Sequence, residues 1–202
     1  MKKNLFRMTA LLALLCLLTA GCGEPATQPE TFTENTTTGT TEALTSIMLG
    51  GKMPDMTFTT PDGSKIGLYD LLEEKKLVVL NFWFADCGWC RKDFPVMEVS
   101  YQRHREDVEI LALNPYDSQE VIAAFQTENS LSFPMASCTE DLTMAFGVNG
   151  YPTSVCIDRE GTISLIHAGA ITDPAVFDAI FDAYTKEDYR SRVFNSVNEL
   201  LN

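Results

Sequence analysis

Basic residues are in short supply in this chain. Its 202 residues carry 15 Lys and Arg against 28 Asp and Glu, for a net charge of −13. That balance argues against a nucleic-acid partner, whose phosphates call for a basic face. Histidine is scarcer still: there are only two, His104 and His167, without paired spacing. They do not make up the four ligands a structural zinc site needs. Six cysteines are too few for a disulfide scaffold in a chain of this length. The apolar segment 11–18 is short of the ~20 residues that span a bilayer comfortably. No internal repeat is visible. What remains is an acidic chain, 45% hydrophobic, with enough apolar mass for one ordinary domain and its appendages.

The chain is organised around residues 77–95. Residues 77–84 form an apolar run rich in β-branched and aromatic types, which reads as a strand buried on both faces. Cys87 and Cys90 follow one turn apart, where a helix should begin. A Cys-x-x-Cys between a buried strand and a helix is a dithiol/disulfide site. Unpaired N–H groups and the helix dipole at that position favour a thiolate on Cys87. Cys90 is then close enough to resolve a mixed disulfide. Arg91 adds a favourable field, and Asp86 opposes it. Trp89, between the cysteines, is expected to be exposed and able to contact partners. Phe82, Trp83 and Phe84 are expected to be mostly core.

The N-terminus reads as an export signal over residues 1–21, with Lys2, Lys3 and Arg7 ahead of the apolar segment. Leu18-Thr19-Ala20-Gly21-Cys22 is similar to a bacterial lipobox, although Thr19 stands where Leu is usual. Cys22 would then be lipidated and anchored in the bilayer. The alternative is ordinary cleavage near Ala20 or Gly21 that leaves a free Cys22. Residues 22–47 are Thr-rich and poor in large apolar groups, which suits a flexible tether. Of the other cysteines, Cys16 leaves with the signal. Cys156 lies in a buried strand pattern and reads as core. Cys138 reads as a lone thiol, with a secondary redox role as the alternative.

Beyond the tether, residues 56–60 and 64–68 read as a hairpin around Pro61-Asp62-Gly63. A short helix over 69–75 precedes the central strand. The helix after Cys90 should run to about Arg105, with Phe94, Met97 and Tyr101 on one face and Pro95 as a kink. Residues 108–114 form a second strand. Ser118 caps a helix with Val121, Ile122 and Phe125 inward. A short strand over 133–137 and a short helix over 140–146, ended by Gly147, come next. Strands over 153–158 and 162–168 pair around the turn 159–161. Asp173 and Pro174 open a helix to about Tyr184, and 187–200 reads as a further surface helix. Strands alternating with helices and ending in a hairpin argue for an α/β fold with a mixed sheet.

Several motifs in order carry a resemblance. They are Val79-Leu80-Asn81-Phe82-Trp83-Phe84-Ala85 with Cys87-Gly88-Trp89-Cys90, then Asp93-Phe94-Pro95, then Leu113-Asn114. Phe146-Gly147-Val148-Asn149-Gly150-Tyr151-Pro152-Thr153 follows, with Cys156-Ile157-Asp158 and Gly161 after it. On these motifs residues 48–185 resemble a thioredoxin-fold domain of the TlpA/ResA type, the membrane-tethered thiol–disulfide oxidoreductases. Residues 186–202 would be a C-terminal extension. The hairpin near Pro54 is similar to the N-terminal extension of that branch. The sequence departs from the family's usual residues at Asp86 (commonly Trp), Trp89 (often Pro) and Asp93 (commonly Glu). Those positions bear on potential and partner rather than on the class of chemistry.

The resemblance implies a thioredoxin-like central mixed sheet flanked by helices and a protein-disulfide reductase cycling Cys87 and Cys90 without a bound cofactor or metal. Pro152 matches the family's cis-proline, which places Tyr151 in the substrate groove; a trans loop proline is the alternative. Asp93, three residues after Cys90, would exchange a proton with Cys90 as the disulfide opens. The alternative is a solvated acid that complements the helix dipole. The implied partners are exported proteins with disulfides or thiols, such as apocytochrome c or a methionine sulfoxide reductase, and a membrane thiol protein that donates electrons. A disulfide-donating oxidase of the same fold stands as the alternative direction. A thiol peroxidase would need Thr or Ser just before its cysteine, and Phe84-Ala85-Asp86 offers neither. A copper-delivering chaperone would need Cys87, Cys90 and a late histidine, for which His167 is the candidate.

Overall fold

The computed structural model describes residues 47–186. The expected signal, the tether up to residue 46 with the Cys22 lipid site, and the 187–200 helix lie outside the described residues. The elements in chain order are β1 (Thr57–Thr59), β2 (Lys65–Gly67), α1 (Leu68–Glu74), β3 (Leu77–Phe82), α2 (Cys90–His104) and β4 (Val108–Asn114). They continue with α3 (Gln119–Glu128), β5 (Met135–Ser137), α4 (Glu140–Ala145), β6 (Thr153–Asp158), β7 (Ile163–Ala168) and α5 (Pro174–Thr185).

One seven-stranded sheet runs β2-β1-β5-β4-β3-β6-β7. β3 pairs with β4 in parallel and with β6 antiparallel, so the sheet is mixed. β3 is buried along its whole length, as its apolar run requires. Its alternation divides the core. Leu77, Val79 and Trp83 pack with α2, α3 and α5 on one face. Val78, Leu80 and Phe82 pack with α1 and α4 on the other. Asn81 falls by the same alternation on the α2 face.

The ends of the elements follow local chemistry. The Ser118 hydroxyl accepts the N–H of Val121 at the start of α3, and the Asp173 carboxylate accepts that of Ala175 at the start of α5, where Pro174 takes the first helical position. Gly147 and Gly161 take φ of +64° and +76°, which end α4 and close the β6–β7 turn. One expected core residue is not in the core. Val121 is 41% exposed, while Ile122 and Phe125 are buried. Adjacent helical positions are ~100° apart, so the helix centres Ile122 on the sheet and turns Val121 to solvent.

Candidate active site

The site forms where β3 ends and α2 begins, at the carboxyl end of a parallel strand pair, where open α/β sheets place their chemistry. Cys87 and Cys90 are joined in a disulfide with a Cα–Cα distance of 5.3 Å. The N-cap residue of α2, Trp89, makes no side-chain cap of its own. Cys87 does that work itself. Its Sγ accepts the N–H of Cys90 at 3.1 Å, and its carbonyl accepts the N–H of Arg91 at 3.2 Å. The sulfur thus stands among the free donors of a 15-residue helix. Cys87 keeps 5% exposure and Cys90 keeps none, so a partner reaches Cys87 first.

The segment leading to Cys87 is braced from the β4–α3 loop. The Asp117 carboxylate accepts the N–H of Ala85 at 2.7 Å and the side-chain amide of Asn114 at 2.8 Å. Asn114 Oδ1 in turn accepts the N–H groups of Tyr116 and Asp117, a local Asx arrangement. The sequence reading missed this bracket. Asn114-Pro115-Tyr116-Asp117 carries the turn composition that could have flagged it.

Tyr151–Pro152 is a cis peptide. The Tyr151 ring meets Phe84 at 5.3 Å and Tyr116 at 5.9 Å, and the two tyrosine hydroxyls lie 3.1 Å apart. Phe84 is therefore half-buried at a rim of rings rather than wholly in the core, unlike Phe82 and Trp83. Trp89 is 60% exposed between the cysteines, and Lys92 Nζ sits 4.2 Å over its ring. Arg91 donates to the Ala85 carbonyl at 3.0 Å and stacks over Phe125. Asp86 is exposed.

Asp93 is 1% exposed. Its Oδ1 accepts the N–H of Ile171 at 2.7 Å, and its Oδ2 lies 3.4 Å from Asn81 Nδ2. Burial raises its carboxyl from 3.8 to about 7, against the lowering effect of those two donors. A solvated first-turn acid does not describe it. Cys156 is buried, Cys138 is half-buried, and both are free thiols that burial pushes up to about 12. Among the described residues, no group of three or more His, Cys, Asp and Glu could hold a metal ion, so Cys87, Cys90 and His167 do not form a ligand set.

A family model described as the AhpC/TSA family matches residues 49–166. Thioredoxin-like protein YneN of Bacillus subtilis (strain 168) is 31% identical over 129 residues, 62% of this chain and 75% of YneN. Thiol-disulfide oxidoreductase ResA of the same strain is 31% identical over 135 residues, 66% of this chain and 74% of ResA. The solution structure of a thiol:disulfide interchange protein from Bacteroides sp. shares the fold, with a TM-score of 0.59 at 20% identity over 73% of this chain and 98% of that one. Fold, redox pair and likenesses together define a ResA-like, thioredoxin-fold thiol–disulfide oxidoreductase. The chain belongs to the AhpC/TSA family.

Proposed function

We propose that this enzyme is anchored outside the cytoplasmic membrane through lipidated Cys22 and reduces disulfides in exported proteins. The observation that carries the reaction is the Cys87–Cys90 disulfide, with Cys87 Sγ already holding an N–H at the start of α2. In the dithiol form, that donor and the helix dipole stabilise a Cys87 thiolate. Cys87 attacks a substrate disulfide, forms a mixed disulfide and expels the first substrate thiolate. Cys90 then attacks Cys87 Sγ and the second substrate sulfur leaves with its electron pair. The protein dithiol is oxidised and the substrate disulfide is reduced. Asp93 takes the Cys90 proton in that second step, for which its carboxyl near neutrality is suited. Pro152, Tyr151 and Trp89 present the face on which an extended substrate segment lies.

Candidate substrates are apocytochrome c, oxidised exported proteins and a methionine sulfoxide reductase, with a membrane thiol protein as the electron source. The likeness to ResA and the export-type N-terminus support this setting. Equilibration of the Cys87–Cys90 pair with glutathione buffers tests the direction. A potential near or below about −250 mV is expected for a reductase. A value near about −150 mV or above would make the protein a disulfide donor instead. Labelling with a radioactive fatty acid, lost in Cys22→Ala, tests the anchor.

A further inference from the structure

Asn81 is a polar residue in an otherwise apolar, fully buried strand, and it points at α2. Its amide can make four hydrogen bonds. Nδ2 donates to Ser154 Oγ at 3.0 Å and lies 3.4 Å from Asp93 Oδ2, while Oδ1 is buried without a partner. Ser154 is directly opposite Asn81 in the β3–β6 register and is itself 5% exposed. The other oxygen of Asp93 is committed to the backbone of Ile171 at 2.7 Å. Oδ2 is thus the oxygen left to gain or lose a proton.

We infer that Asn81, anchored by Ser154, is a positioning residue that reverses its amide as Asp93 changes protonation state. With Nδ2 toward Asp93, the amide donates to the carboxylate. A half-turn of the amide places Oδ1 between Ser154 and Asp93, where it accepts from the neutral acid. A hydroxyl both donates and accepts, so Ser154 serves either orientation. The long 3.4 Å contact and the orphaned acceptor on the same amide fit a group not locked into one of them. The carboxylate orientation is the one in the structure.

This deepens the proposed role of Asp93 and rests on it. As the mixed disulfide resolves, Cys90 gives its proton to Asp93 Oδ2 and the amide turns to accept from the new O–H. When Asp93 releases that proton to water or to the departing substrate thiolate, the amide turns back. The buried site therefore keeps a partner for Oδ2 in both states, and Asp93 can cycle instead of staying neutral in its apolar surroundings.

The test is NMR on the full chain in its dithiol form, with side-chain ¹⁵N asparagine and ¹³C-carboxyl aspartate, titrated across neutral pH. The expected result is an Asp93 carboxyl titrating near neutrality and an Asn81 Nδ2 resonance shifting with the same midpoint. Asp93→Asn should abolish the shift. An Asn81 amide that stays flat while Asp93 titrates near neutrality overturns the inference and leaves the role of Asp93 standing. An Asp93 that titrates in the ordinary carboxylate range overturns both. In Asn81→Leu both partners of Oδ2 are lost, and the charge-assisted one is the stronger. The midpoint in the pH profile of the resolving step should therefore rise by about one unit. An unchanged midpoint in that variant overturns the inference. Should that variant fail to fold, the wild-type titration decides alone.

Discussion

Cys87 and Cys156 are almost equally hidden, at 5% and 2% exposure, yet only one stands where sulfur chemistry can occur. Cys87 sits before a helix, accepts an N–H at 3.1 Å and is joined to Cys90. Cys156 sits in the middle of the sheet opposite Val79, where burial pushes its thiol up to about 12. Cys138, half-buried beyond β5, is pushed up as far. Loss of solvent does not by itself separate a reactive cysteine from an inert one. The separation comes from the helix end and backbone donor beside Cys87, whereas at Cys156 the side-chain hydrogen bond with Tyr184 lowers the thiol by less than burial raises it.

The strongest way to break that comparison is to exchange the sulfurs for oxygen one at a time. Cys87→Ser should reduce insulin-disulfide turnover to background, whereas Cys156→Ser should leave it within about twofold, since core sulfur enters no step. Substantial turnover in Cys87→Ser would sink the assignment of the nucleophile. Thiol alkylation sharpens the contrast further. A thiol held at about 12 is ionised in roughly one molecule in 10⁴ at pH 8. Iodoacetamide should therefore label Cys87 of the dithiol form at least about a thousandfold faster than Cys138 or Cys156. Mass spectrometry of timed quenches reads this directly, and comparable labelling of Cys138 would erase the distinction.

The active-site side of the comparison also holds a group whose burial costs stability near neutral pH. Burial raises Asp93 from 3.8 to about 7, so between those values the folded chain holds a proton that the unfolded chain has released. Stability from this group is therefore full below pH ~4, falls as the pH rises to about 7, and stays low above it. At ~1.36 kcal/mol per unit the loss is a few kcal/mol, about 4 at most. Asp93→Asn in the disulfide form should remove that decline. Urea melts should show the variant ahead of wild type by a few kcal/mol at pH 8 and by little at pH 4. A constant difference across that range would mean Asp93 does not ionise in the folded protein as its burial implies.

How much of this was legible beforehand depended on whether the cause was local. The strand expected over 77–84 forms over 77–82, and the cysteine pair and the caps at Ser118 and Asp173 are where the sequence places them; all rest on neighbours within a few positions. Val121 was misplaced because the apolar pair Val121-Ile122 gives helical periodicity two candidates for one inward position. The cap of α2 was hidden because it is a sulfur and a carbonyl rather than Ser, Thr, Asp or Asn. Asp117 holds Ala85 from 32 positions away, and Ser154 anchors Asn81 from 73, so both needed the strand register. Asn81 left one visible sign, a polar residue inside an apolar run, since a buried amide in a central strand demands partners.

The smallest effect belongs to Cys138, and it tests whether partial access is enough to give a thiol a role. Cys138 follows β5, donates its backbone N–H to the Asn114 carbonyl and packs against the α1–α4 face of the core. Its place in the fold is thus held by the main chain, and its sulfur adds only a small apolar volume. Cys138→Ala should cost about 1 kcal/mol or less in a urea melt. It should leave both the Cys87–Cys90 potential and the turnover unchanged, because the Cys87 sulfur takes its hydrogen bond from the Cys90 N–H and Cys138 packs on the opposite, α1–α4 face of the core. A shift of the potential by about 30 mV, equivalent to about 1.4 kcal/mol, would show that Cys138 is coupled to the pair. The inert set would then shrink to Cys156, whose own walls in the middle of the sheet leave it no route to a partner.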